Sequence, residues 1–166
     1  AESALKPNNL EDLCEKRLKE AGKKYCTDAK YTKAVDDGVI SAEEFLHPLP
    51  GKQYGYGLAQ WTSPGRKAAL YNFAHEKGTS IGDLEMQLEF LLKELNESYR
   101  SVYNFLVSCN SYREASDKVL KEFEQPANAD AISGQRAAYA SKYYDKFCSK
   151  SAKSEEKTAE TAAKTE

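Results

Sequence analysis

Between Gln53 and Thr62 two tyrosines alternate with two glycines, Tyr54-Gly55-Tyr56-Gly57, and Gln60 and the chain's single tryptophan, Trp61, follow. Alternating Tyr and Gly leaves no continuous apolar face for a helix, but it lets the backbone come close to a ligand while the rings stand to either side. Tyr and Trp offer flat surfaces with a polar tip, and Gln60 offers an amide that both donates and accepts. The stretch is therefore expected to line a cleft, with Tyr54, Tyr56, Gln60 and Trp61 as ligand contacts. A plain hairpin with a buried tryptophan accounts for the same residues, and for Trp61 a place in the core weighs at least as much as a place in the cleft. Tyr139 is read as one ring of a further wall with Tyr143 and Tyr144, although helical spacing puts at least one of the three in the core.

Other residue types that do chemistry are sparse or explained locally. His47 and His75 are isolated, and neither is assigned a role. Asp36, Asp37, Glu43 and Glu44 lie in the stretch leading to the cleft, where capping and solvation explain all four. Arg66 reads as an outward or capping contact. Cys14, Cys26, Cys109 and Cys148 lack the tight spacing that zinc or thioredoxin-like chemistry needs, and none is paired with a histidine as a peptidase nucleophile would be. No metal or cofactor is expected, which also argues against a nuclease. Disulfides fit if the protein works outside the cytoplasm; bridges of Cys14 with Cys26 and of Cys109 with Cys148 are favoured because each would tie neighbouring helical segments, with buried free thiols as the alternative.

The elements that must position these groups are helical. The 166 residues, 40% hydrophobic and 30% charged, suffice for one domain with a core, and a net charge of -2 gives no global reason to bind nucleic acid or an anionic membrane. No apolar run approaches a membrane span, and the N-terminus lacks a signal pattern. Asn8 or Asn9 is expected to cap a helix through Leu10, Leu13, Cys14, Leu18 and Ala21 that Gly22 ends. Thr27 caps a turn through Tyr31 and Val35, and Ser41 with Glu44 forms a capping box. Ser63-Pro64 starts a helix with Leu70, Phe73 and Ala74 inward, ending at Gly78. Leu84, Leu88, Leu91, Leu92 and Leu95 predict a central core helix with Glu85, Glu89, Lys93 and Glu94 outward. Val102 to Cys109 makes a short helix, and Ser111 with Glu114 a second capping box leading to Phe123, closed by Pro126. A last helix from about Ser133 carries Ala137, Ala140, Tyr144 and Phe147. Residues 149–166, without aromatic or branched aliphatic side chains, read as a disordered linker or tail.

Glu2-Ser3 followed by Gly57-Leu58-Ala59-Gln60 resembles the Glu-Ser and Gly-Leu-Met-Gln motifs of the goose-type lysozyme and lytic transglycosylase superfamily. The run Tyr56 to Thr62, then Gly65-Arg66, Gln87 to Leu91 with Glu94-Leu95, Phe123 to Pro126, and Arg136 with Ala138 is similar to the phage tail lysozyme family. The resemblance runs from Ala1 to about Phe147. It implies a mainly α, lysozyme-like helical domain over residues 1–148 with a small irregular or hairpin segment at the cleft. It also implies a peptidoglycan hydrolase acting on the cell wall from a phage tail or conjugative element, often beside a peptidase domain. Glu2 is then the catalytic residue, and Tyr54, Tyr56, Gln60, Trp61 and Tyr139 the substrate contacts. Two departures accompany it. The helix that precedes the Glu in family members is missing here, so the chain is expected to be truncated at its N-terminus and to continue beyond Glu166. The stretch Leu5 to Tyr54 is longer than the corresponding gap in transglycosylases and reads as a helical insertion at the cleft edge.

Cleaving the β-1,4 bond between N-acetylmuramic acid and N-acetylglucosamine needs a carboxylic acid still protonated near neutral pH, to give its proton to the leaving oxygen. Burial against apolar groups supplies that by disfavouring the charged form. A second carboxylate would act as base or nucleophile, and the sequence names none. Without one, the substrate's own 6-hydroxyl can attack and leave an anhydro sugar. A non-catalytic wall-binding or structural module of a tail or conjugation apparatus is the alternative from another class.

Overall fold

Local signals set most of the helix ends in the computed structural model, which describes residues 6–126 and 128–162, with side chains as far as residue 146. Helix α1 (Asp12–Glu20) begins later than Asn8 or Asn9 would have it, because Asn9 and Leu10 are engaged in pairing with the Tyr/Gly stretch; its inner face is Cys14 and Leu18. Leu13 faces out. Thr27 stands at the N-cap position of α2 (Asp28–Asp36) without a side-chain bond to the first turn, and Ser41 and Glu44 form both halves of the capping box that starts α3 (Ala42–Leu46). Ser63 and Pro64 open α4 (Pro64–Lys77), which ends on Gly78 at φ 64°, a left-handed conformation that glycine adopts without strain.

Contacts divide the chain into two units, Ala1–Glu94 and Leu95–Glu166, and α5 (Leu84–Glu97) passes from one to the other. The core of the first unit gathers Leu10, Cys14, Leu18, Tyr31, Val35, Phe45, Tyr54, Tyr56, Trp61, Leu70, Ala74, Ile81, Met86 and Phe90. The second unit holds α6 (Arg100–Ser108), α7 (Tyr112–Lys118) running into a π-helical turn Val119–Glu124, and α8 (Ala129–Ala162). Ser111 accepts from the Glu114 amide at the start of α7, and the left-handed Gln125 ends the π turn just before Pro126. Val102, Leu120, Phe123 and Ala137 are the buried apolar residues described there, with Tyr99 edge-on to Phe123 and Arg136 paired with Glu124. The helix of α8 continues through residues 149–162.

The inner face of α5 differs from the leucine stripe. Met86, Gln87, Phe90 and Glu94 are buried, whereas Leu84, Leu88 and Leu92 are each about half exposed. Polar partners outside the helix determine the rotation. Trp61 and Arg66 need the Glu94 carboxylate, and three backbone groups need the Gln87 amide, so the face carrying those two residues turns inward. The thiols differ from expectation too: Cys14, Cys26 and Cys109 are free, so neither favoured bridge is formed. Cys14 instead fills the inner face of α1, and burial pushes its thiol up to about 12.

Lys67 is the buried cation of this core. Its Nζ donates to the carbonyl of Phe45 in the last turn of α3 and lies 4.5 Å from the centre of the Phe45 ring, so it caps a five-residue helix whose end carbonyls would otherwise lack donors. Burial lowers its pKa from 10.5 to about 8. A lysine with a depressed folded-state pKa costs stability while both states are charged. That cost falls as pH rises above 8, because the unfolded chain then holds more protons than the folded one. Above pH 9 the Cys14 thiol acts oppositely, ionising in the unfolded chain while the folded chain keeps its proton. The urea midpoint is therefore expected to climb between pH 8 and 9, by about 1.4 kcal/mol of stability per pH unit at most, and to level off above. Lys67→Met should remove the climb, and a midpoint series from pH 7 to 10 checks it.

Candidate active site

The Tyr/Gly stretch folds into a small hairpin. Tyr56 and Trp61 pair through both backbone bonds, N–H to O at 3.2 and 2.9 Å, and the turn between them has Gly57 at φ 77° and Gln60 at φ 48°. On its other edge the hairpin pairs with the segment that follows Glu2-Ser3. The Glu11 amide donates to the Gly55 carbonyl (3.1 Å), the Gly55 amide to the Glu11 carboxylate (2.8 Å), and the Gly57 amide to the Asn9 carbonyl (2.9 Å), around an antiparallel bridge of Leu10 with Tyr56. Residues 9–11, 55–57 and the strand-like return at Trp61 thus lie side by side.

Side chains fill the space beside both glycines. A Cβ on Gly55 would stand 2.6 Å from Gln60 Oε1, and one on Gly57 2.7 Å from Gln87 Oε1. Gln87, fully buried on α5, accepts from the Leu58 amide at Oε1 (2.9 Å) and donates from Nε2 to the carbonyls of Pro7 (2.5 Å) and Ile81 (2.6 Å).

The three aromatic rings of the stretch pack inward. Tyr54, Tyr56 and Trp61 are 1%, 0% and 0% exposed, so none presents a ring face to a ligand in this conformation. Each polar tip is bonded within the protein: Arg17 donates to the Tyr54 hydroxyl (3.0 Å), Tyr56 shares a 2.6 Å bond with Thr32, and Trp61 Nε1 donates to Glu94 (2.6 Å). Arg66 completes the last group, its Nε and Nη2 reaching the two Glu94 oxygens at 2.8 and 2.9 Å. Gln60 is half-buried, and its Nε2 folds back onto the carbonyls of Gly57 (3.0 Å) and Asn9 (3.3 Å). Tyr139 is exposed on α8 in the second unit, as are Tyr143 and Tyr144, the last against Tyr112 at 5.7 Å between ring centres. Glu2 lies outside the described residues.

Beside the paired segments a cleft of about 560 Å³ opens, lined by Pro7, Asn8, Thr32, Asp36, Asp37 and Gly82 among others. Gly82 forms its tight floor, since a Cβ there would meet Thr32 at 2.7 Å and the Tyr56 hydroxyl at 3.3 Å. Of the four acidic residues in the preceding stretch, Asp36 and Asp37 reach this cleft. Asp36 accepts from Ser80 Oγ (2.5 Å) and the Ile81 amide (2.9 Å), and Asp37 pairs with Lys33. Glu44 is held in the capping box, and Glu43 stands in solvent near His47.

A profile of the phage tail lysozyme family matches residues 1–147. The chain belongs to the phage tail lysozyme family. A peptidoglycan-lytic, lysozyme-like glycosidase activity directed at the cell wall comes with that membership, as does a mainly helical, lysozyme-like fold. No curated protein and no solved structure matches the chain. No helix among the described residues is long and apolar enough to cross a membrane. In this phage tail lysozyme Gln87 and Glu94 stood in the run that carries the resemblance but were given no role, Glu94 having been read as outward, and Lys67 was not singled out. The partners of Glu94, Arg66 and Trp61, lie 28 and 33 residues away along the chain, and for Lys67 no sequence signal existed.

Proposed function

We propose that this phage tail lysozyme cuts the β-1,4 bond between N-acetylmuramic acid and N-acetylglucosamine, with Glu2 giving its proton to the leaving glycosidic oxygen. The observation that carries this reading is the pairing of residues 9–11 with 55–57. It ties residues 9–11, which follow Glu2-Ser3 in the chain, to the backbone of the hairpin that carries the Gly57-Leu58-Ala59-Gln60 turn. With Tyr54, Tyr56 and Trp61 buried, their part in binding is to hold this hairpin from below, and the half-buried Leu58, Ala59 and Gln60 form the side turned to the sugar. Tyr139, exposed in the second unit, is the ring we read as lying against a sugar face.

The match over residues 1–147 supports a catalytic domain of residues 1–148 that takes in both units, with 149–166 as a connecting tail. Such a domain would act outside the cell, on a virion tail or conjugation apparatus, beside a peptidase domain in the full-length protein.

Mass spectrometry of the products from purified peptidoglycan tests the reading. Reducing muropeptides are expected if water completes the reaction with a second carboxylate, for which Asp36 and Asp37 at the cleft are the candidates. Anhydro ends would assign the second step to the substrate's 6-hydroxyl instead. Wall binding by the folded protein without any bond cleavage would leave a non-catalytic binding module.

A further inference from the structure

A buried glutamine on a helix that faces an apolar core is an expensive choice unless its amide is used, since each unsatisfied polar atom there is left without water. Gln87 uses both hydrogens and an oxygen lone pair. Its Nε2 donates to Pro7 and Ile81, its Oε1 accepts from Leu58, and its side chain is fully buried. Those partners belong to three separate segments: the one that follows Glu2 by five residues, the glycan-lining turn, and the turn that leads into α5. Gly57, in its left-handed conformation, leaves open the space the amide fills, because a Cβ there would stand 2.7 Å from Oε1. Filling the volume would need only Met or Leu. Bonding Pro7 and Leu58 at once needs a group that donates and accepts in one plane.

We infer that Gln87 is a positioning residue for the acid: its amide fixes the register between the Glu2-bearing segment and the Gly57-Leu58 turn that receives the glycan. This inference rests on the assignment of Glu2 as the acid. A carboxylate cannot replace the amide, since it accepts from Leu58 but has no hydrogen for the Pro7 and Ile81 carbonyls and would set a negative charge against both. Both Gln87→Glu and Gln87→Met therefore release Pro7, the first while retaining the Leu58 bond. An error of about 1 Å in the seat of an acid lowers turnover on the order of a hundredfold.

The test compares wild type, Gln87→Met, Gln87→Glu, Glu2→Gln and a core control, Leu70→Val, on purified peptidoglycan from pH 4 to 9. Each is assayed below its own melting temperature, with folding followed by circular dichroism. The expected result is a loss of at least tenfold in kcat for whichever Gln87 variants fold, a change of less than threefold in KM, and a shifted limb of the pH profile. Leu70→Val, destabilised elsewhere in the same core, should keep the wild-type kcat and profile. A folded Gln87→Met or Gln87→Glu with wild-type kcat and pH profile would overturn the inference and make Gln87 a packing residue only. Undiminished cleavage by Glu2→Gln would instead overturn the acid assignment itself, and the inference with it.

Discussion

Glu2→Gln is expected to slow the release of muropeptides from peptidoglycan by roughly 10²- to 10⁴-fold, the range that a general acid contributes. The amide keeps the size and hydrogen-bonding reach of the acid but has no proton to give to a leaving oxygen. The limb of the pH–rate profile that reports the acid should disappear with it. The pairing of residues 9–11 with the hairpin should survive, because its bonds come from Asn9, Glu11 and their partners around the bridge of Leu10 with Tyr56. An unchanged rate with an unchanged melting curve would remove Glu2 from the mechanism and leave Asp36 and Asp37 as the carboxylates at the cleft to be tested next.

Glu94→Ala is expected to cost about 3–5 kcal/mol of stability, the range found when one partner of a buried ion pair is removed. The Glu94 carboxylate is 9% exposed and takes three donors, from Trp61 Nε1, Arg66 Nε and Arg66 Nη2. Alanine removes the acceptor from a buried indole and from a guanidinium at the same time. Glu94→Gln keeps one carbonyl oxygen for one of them, and its loss should be smaller, about 1–3 kcal/mol. Trp61 is the chain's single tryptophan and is fully buried, so its emission during urea unfolding reads this site directly. Equal urea midpoints for wild type and Glu94→Ala would mean that the carboxylate offsets no more than its own desolvation.

Features encoded by neighbours in sequence were legible. The Ser41 and Glu44 box, Ser63-Pro64 and Gly78 mark helix ends through groups three or four residues apart, and each appears where it was expected. The hairpin at Tyr56–Trp61 was legible for the same reason, its glycines permitting the turn. What was not legible depends on partners far along the chain. The leucine stripe of α5 is the most apolar face of that helix, yet Trp61 and Arg66, 33 and 28 residues away, draw the Glu94 face inward. Asn9 has the chemistry of a helix cap, but its carbonyl serves Gly57, 48 positions later. Aromatic residues that could flank a ligand instead fill the core because Arg17, Thr32 and Glu94 satisfy their polar tips. Lys67 could be read only once α3 was in place above it.

The shared space between Gly57 and Gln87 also ties the histories of the two positions together. A larger residue at 57 meets Gln87 Oε1 and must also hold the left-handed φ of 77°, so a shorter side chain at 87 relieves only part of its cost and forfeits Pro7 and Leu58 as well. Substitution at either position alone is therefore unfavourable, and the loss at 87 also unfastens the segment at Pro7 from the turn at Leu58.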